Sequence, residues 1–140
     1  MEDDLKEKIK EVFNQFEIFI LATSKDKIPS SRYMTGQIWD DLNIWGVTNL
    51  SSQKVSIIKN NPNVCCLSVI NPEEFDSPRV LLFGKASIFI DTETKRKHWR
   101  DSLKQFFTGP DDPDYIVYRI RPIRIEYYAP FNLKPEVIEF

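Results

Sequence analysis

The run Trp45-Gly46-Val47-Thr48-Asn49-Leu50-Ser51-Ser52-Gln53-Lys54 brings hydroxyls, an amide and an ammonium together where an apolar strand gives way to a helix. A phosphate monoester suits such a junction. The first N–H groups of a helix lack intrahelical partners and lie at the positive end of its dipole, so an anion placed there meets donors already aimed at it. Ser51 and Ser52 would add short hydroxyl donors, and Lys54 a full charge. The plainer alternative is that Ser51 or Ser52 only caps a helix running to about Asn61, with Lys54 a solvated surface charge.

Other chemistries have less material. Cys65 and Cys66 are the only cysteines, and as strand neighbours they would point to opposite faces, which disfavours a disulfide between them. His98 is the only histidine, beside Trp99 in a charged stretch, and it reads as a surface residue. No Cys-x-x-Cys spacing offers a metal site, and no serine, histidine and aspartate triad stands out. Gly36, Gly46, Gly84 and Gly109 are too far apart for a dinucleotide or Walker phosphate loop. The net charge of -2 gives no general pull toward nucleic acid or anionic lipid, so a bound anion must be recognised locally. The start Met1-Glu2-Asp3-Asp4 and the lack of a long apolar run predict a soluble, cytoplasmic protein.

These residues need a scaffold, and 140 residues suffice for one domain, 1–140, with one core. Leu5, Ile9, Val12, Phe13 and Phe16 recur at helical spacing. β-branched and aromatic residues over 17–24 predict a strand, Lys25-Asp26-Lys27 a turn, and a second strand carries Arg32, Tyr33 and Met34 toward Trp39. Strands are also expected over 42–48, 63–70, 79–91 and 115–128, the fifth bending at Gly84 and the sixth marked by Pro122. A third helix after Asp91 or Thr92 should bury Trp99, Leu103 and Phe106 or Phe107, leaving Lys95, Arg96, Lys97 and Arg100 in water. The tail 131–140 is too apolar to be idle. Consecutive hairpins predict a mainly β fold, a six-stranded antiparallel barrel with helices outside.

The order of several short motifs resembles the FMN-binding split-barrel family typified by pyridoxamine 5'-phosphate oxidase, and within it the short bacterial general-stress members. These are Arg32-Tyr33-Met34, the segment from Thr48 to Lys54, Asn61-Pro62-Asn63-Val64, Gly84-Lys85-Ala86 with Asp91, Gly109-Pro110-Asp111-Asp112-Pro113-Asp114-Tyr115 and Glu126-Tyr127-Tyr128. The resemblance implies a Greek-key split barrel and FMN at a homodimer interface. It puts Ser52 and Lys54 on the phosphate, the strand Arg32, Tyr33, Met34 and Thr35 along the flavin and ribityl chain, Val47, Thr48, Ser51 and Gln53 among the other cofactor-binding residues, and Tyr128 near the partner's flavin. Arg32 near flavin N1 would raise the reduction potential. Gln53 stands where the oxidase has arginine, and residues 130–140 have no counterpart of its basic substrate segment, so vitamin B6 oxidation is not implied. The activity implied is electron transfer from a reduced nicotinamide to a small acceptor. A flavin-binding stress or sensor module without turnover, or a barrel holding haem or a deazaflavin, remains open.

Overall fold

The computed structural model describes residues 2–74 and 76–140. Helix α1 (Glu2–Asn14) buries Ile9 and Phe13, and the Phe13 ring lies 5.2 Å from Phe19 on the first strand. Strands β1 (Ile18–Lys25) and β2 (Ile28–Thr35) form a hairpin through Asp26 and Lys27. Both turn residues have positive φ, 53° and 65°, the backbone that matches a two-residue loop to strand twist. After Gly36 come β3 (Gln37–Ile38) and β4 (Ile44–Asn49), then helix α2 (Gln53–Asn60), β5 (Asn63–Ser68) and β6 (Arg79–Phe89). Helix α3 (Thr92–Lys97), a 3₁₀ turn (Asp101–Gln105), β7 (Tyr115–Tyr128) and β8 (Glu136–Glu139) complete the chain.

Among the described residues, eight strands form one antiparallel sheet in the order β2-β1-β5-β6-β7-β4-β3, with β8 added to β7. The strands at the two ends of this order, β2 and β3, are joined by Gly36 alone. One residue cannot span an open sheet, so the sheet must curl until its edges meet. The result is a mainly β, antiparallel split barrel with helices at its margins. The expected six strands become eight because the second divides at Gly36 and the tail supplies β8. The apolar tail is ordered over only four paired residues, of which Ile138 is buried.

The core follows strand alternation. Phe19, Leu21, Met34, Ile44, Val64, Cys66, Val80, Leu82, Tyr118, Ile120 and Ile125 point inward with Ile9, Phe13 and Ile58 from the helices. Cys66 is buried and its neighbour Cys65 half-buried, both free thiols, as opposite strand faces require. The expected bend at Gly84 is present as a register shift between Phe83 and Gly84, opposite Pro122. A second, outer cluster of Leu103, Tyr115 and Val117, with Trp45, Val47, Phe89, Trp99 and Phe107, packs α3 and the 3₁₀ turn on β4 and β7. The third helix is therefore two pieces. Phe107 faces inward, while Phe106 is exposed. Lys95 departs from the expected solvated face: it is buried, its Nζ donates to the Asp112 carbonyl at 2.9 Å, and it lies 5.6 Å from the Tyr115 ring centroid.

Candidate functional site

The paired residues Gln37 with Trp45 and Ile38 with Ile44 set the register of β3 on β4. Continued past Gly36, that register would place Thr35 opposite Val47 and Met34 opposite Thr48. The pairing stops there instead, and β2 pairs only with β1. The expected β2 and β4 positions thus face one another across a seam where the barrel is split. Met34 and Thr48 are buried, whereas Tyr33 is 70% exposed on the outer side of β2. A cleft of about 510 Å³ lies at the Gly36 end of the seam, and Thr35 and Val47 contribute to its wall.

At the other end stands the start of α2. Ser52 is its N-cap, with extended backbone and a side chain that accepts from the Lys54 N–H at 3.3 Å. Val55 and Ile58 face the core, which keeps the helix against the barrel and brings Lys54 beside it. Arg32 reaches inward from β2 and donates to Thr23 Oγ1 at 2.7 Å, Ser30 Oγ at 2.8 Å and the Leu21 carbonyl at 3.3 Å. All three acceptors are neutral. Partial burial first, and Arg32 second, pull the Lys54 ammonium below the usual lysine range. Burial also lowers Arg32, but a guanidinium keeps its proton, so the softer lysine yields. Two cations therefore stand close together with no carboxylate between them among the described residues, which is an arrangement that an anion would relieve.

Ser51 behaves differently from Ser52. Its N–H donates to Asp114 Oδ1 at 2.9 Å and its hydroxyl to Asp114 Oδ2 at 3.4 Å, while Asn49 Nδ2 donates to its Oγ at 3.1 Å. The Leu50 N–H bonds the Asp114 carbonyl at 2.8 Å. Asp112 in turn accepts from the Thr108 and Asp114 N–H groups, both at 2.9 Å, and these bonds hold its carboxyl below the usual range. The Asp-rich loop is a clamp on the approach to α2. Gln53 opens the helix, exposed beside the cradle.

Tyr128 is not brought to this place. It lies at the far end of β7 from Tyr115, which pairs with Asn49, and thirteen strand steps amount to roughly 40 Å. There it donates to Glu126 Oε1 at 3.2 Å under the Arg79 guanidinium, 4.6 Å from its ring centroid. Reaching a flavin would require one held by a second chain.

The cleft holds residues that sequence reasoning passed over. His98 stacks on Trp45, centroids 4.7 Å apart, and on Trp39 at 5.1 Å, with Lys97 and Arg100 along the same wall. Burial first, then Lys97, lower the His98 pKa. Glu17 adds a carboxylate, accepting from Gln37 Nε2 at 3.1 Å, from a residue held at φ 58°. The only available signal was that Trp39, Trp45 and His98 are the kind of rings that pair across elements, and nothing in their spacing tells which do.

Residues 5–129 match the family described as pyridoxamine 5'-phosphate oxidase. General stress protein 26 of Bacillus subtilis (strain 168) is 36% identical over 121 residues, 86% of each chain. The crystal structure of General Stress Protein 26 from Bacillus anthracis str. Sterne superposes with a TM-score of 0.80 at 32% identity, covering 97% of this chain and 98% of the other. A protein related to general stress protein 26, from Clostridium acetobutylicum, shares the fold with a TM-score of 0.83 at 22% identity, covering 100% and 97%.

Proposed function

Since the chain belongs to the pyridoxamine 5'-phosphate oxidase family, we propose that it binds FMN along the seam between β2 and β4 and works as a cytoplasmic flavin oxidoreductase. The observation that carries this reading is that Arg32, whose hydrogen-bond acceptors are all neutral, acts by its charge on the partly buried Lys54 at the start of α2, with no carboxylate among the described residues to neutralise them. A phosphate monoester there carries about -1.5 to -2 charges and can accept charge-assisted hydrogen bonds from both. Ser52 and Gln53 would complete the cradle, with Thr48 and Met34 at the seam, and Thr35 and Val47 where the ring enters the cleft. Ser51 acts through the Asp114 clamp, and Tyr33 lies on the outer face, toward the partner subunit.

When bound, FMN would supply the redox chemistry, accepting a hydride from a reduced nicotinamide and returning electrons to a small acceptor. The protein's part is to hold the phosphate, orient the ring and exclude water. A homodimer is part of the proposal: the outer face of β1, β5 and β6 is covered by neither α1 nor α2, from which Ile9, Phe13 and Ile58 join the inner core. Among the described residues no helix is long and apolar enough to cross a membrane. Protein supplied with FMN during purification should be yellow, with two flavin bands and up to one FMN per chain. If it stays colourless in excess FMN and calorimetry detects no binding, the reading is wrong. Steady-state oxidation of NADH or NADPH separates an enzyme from a module without turnover.

A further inference from the structure

The Thr35–Gly36 peptide unit is gripped from both sides. Its N–H, on Gly36, donates to the Glu17 carbonyl at 3.3 Å, and its C=O, on Thr35, accepts from the Tyr118 hydroxyl at 2.6 Å. In a trans peptide these groups point in opposite directions, so the C=O is aimed into the seam, where no strand remains to pair with it. Tyr118 takes the place of that missing strand. It stands on β7 directly opposite Gly46, and its ring lies across that glycine so closely that a Cβ there would overlap it. At Gly36 a Cβ would come within 2.5 Å of the same hydroxyl. Both glycines are therefore required by one buried side chain, 1% exposed. Burial first, then Cys66, raise the Tyr118 pKa well above the ordinary tyrosine value, so the phenol stays protonated and remains a donor.

The Tyr118 hydroxyl, carried by a buried ring, would be costly to leave without an acceptor, and a peptide fixed at both ends cannot rotate without losing one bond or the other. The orientation of that peptide decides the direction in which β2 leaves the bend, and with it the distance from Thr35 to Val47. We propose that Tyr118 is a positioning residue for the ring end of the ligand: by locking the Thr35–Gly36 peptide it sets the width of the seam that receives the flavin ring. The inference rests on the flavin reading above. Its prediction differs from that of a phosphate contact, because a seam of the wrong width penalises every flavin, with or without a phosphate.

The test is the affinity of Tyr118→Phe for FMN and for riboflavin, with Lys54→Ala as the comparison, alongside the visible spectrum of each complex. Y118F removes the hydroxyl and keeps the ring. Both ligands should weaken alike, about 3- to 10-fold, the scale of one lost hydrogen bond, and the bound flavin bands should shift. Lys54→Ala should weaken FMN alone. Gly36→Ala opens the same bend from the backbone side and should repeat the equal loss; it decides the matter if Y118F does not fold. Wild-type riboflavin affinity and spectrum in folded Y118F, or in folded G36A where Y118F fails, would overturn the inference and leave the flavin reading standing. Failure of the wild-type protein to bind either flavin would overturn that reading, and the inference with it.

Discussion

A guanidinium and an ammonium that share a partly buried place repel each other, and the strength of a phosphate site comes from relieving that repulsion. Lys54 has no acidic partner to lose among the described residues, so Lys54→Ala should cost FMN about 10- to 150-fold in affinity, as one charge-assisted contact would, and leave riboflavin nearly unchanged. Arg32→Gln separates two roles for the guanidinium. Its closeness to Lys54 favours the phosphate end, so FMN should weaken and riboflavin should not, while the flavin potential stays nearly constant. A lowered potential with unchanged FMN affinity would return Arg32 to the ring. The pH dependence has a definite sign. The phosphate favours protonated Lys54, so FMN affinity should fall as pH rises past the lysine's depressed value, earlier than the ordinary 10.5 would suggest. It should also fall below about pH 6, where the monoester takes up its second proton. In the ligand-free fold the sign reverses. A lysine lowered by folding opposes the folded state most below its folded pKa, and that cost fades as pH rises toward the unfolded value. FMN titrations from pH 5 to 10, with riboflavin as control, would read both limbs; parallel curves for the two ligands would rule out a phosphate origin.

Strand β6 must turn sharply along the barrel, and it does so where Gly84 meets Pro122, which has no N–H to give to the ladder. A Cβ at Gly84 would lie 2.5 Å from the Arg121 carbonyl oxygen, a backbone atom that cannot swing away. Gly84→Ala should therefore destabilise by about 1 to 3 kcal/mol, visible as a lower melting temperature. FMN affinity of the folded fraction should hold, since Gly84 belongs to neither the seam nor the cradle; an unchanged melting temperature would mean the bend relaxes freely. Glycine, proline and strand alternation made this bend legible in the sequence, as they did the Asp26-Lys27 turn and the opposite faces of Cys65 and Cys66. The start of α2 was legible for the same local reason, a capping serine followed by apolar residues at helical spacing. What was not legible depended on partners distant in the chain. Nothing near Lys95 says that Asp112 and Tyr115 will bury it, nothing near Ser51 says that Asp114 will claim it, and nothing near His98 points to Trp39 and Trp45. The division of the second strand at Gly36 also escaped, because it is imposed by Tyr118, 82 positions along the sequence from Gly36.

The whole molecule leaves a large apolar surface uncovered at its carboxyl end and along the outer sheet face. Phe131 is 80% exposed, Leu133 90% and Phe140 58%, and Phe83 on β6 and Val137 on β8 are also partly bare. The β8 strand is nevertheless firmly placed, since it pairs with β7 and Arg124 bridges Glu126 at 2.9 Å and Glu139 at 2.5 Å. Fixed apolar patches of this kind mark interfaces, and two-fold association is the commonest way to cover one. Such an axis could also carry Tyr128 to the partner's seam, which it cannot reach within its own chain. If FMN lies across the interface, it binds the dimer and not the monomer, and mass action then couples the two equilibria. Added FMN should tighten dimerisation and raise the melting temperature together, each site stabilising the bound state by about 2.7 kcal/mol at a hundredfold excess over its dissociation constant. Sedimentation velocity at low micromolar protein, with and without FMN, reads the first effect and a thermal melt the second. Riboflavin at matched saturation should do both as well, because the shared element is the ring and not the phosphate. A stable monomer that binds FMN with undiminished affinity would rule out a shared site, and would leave the aromatic tail as a strap over its own barrel.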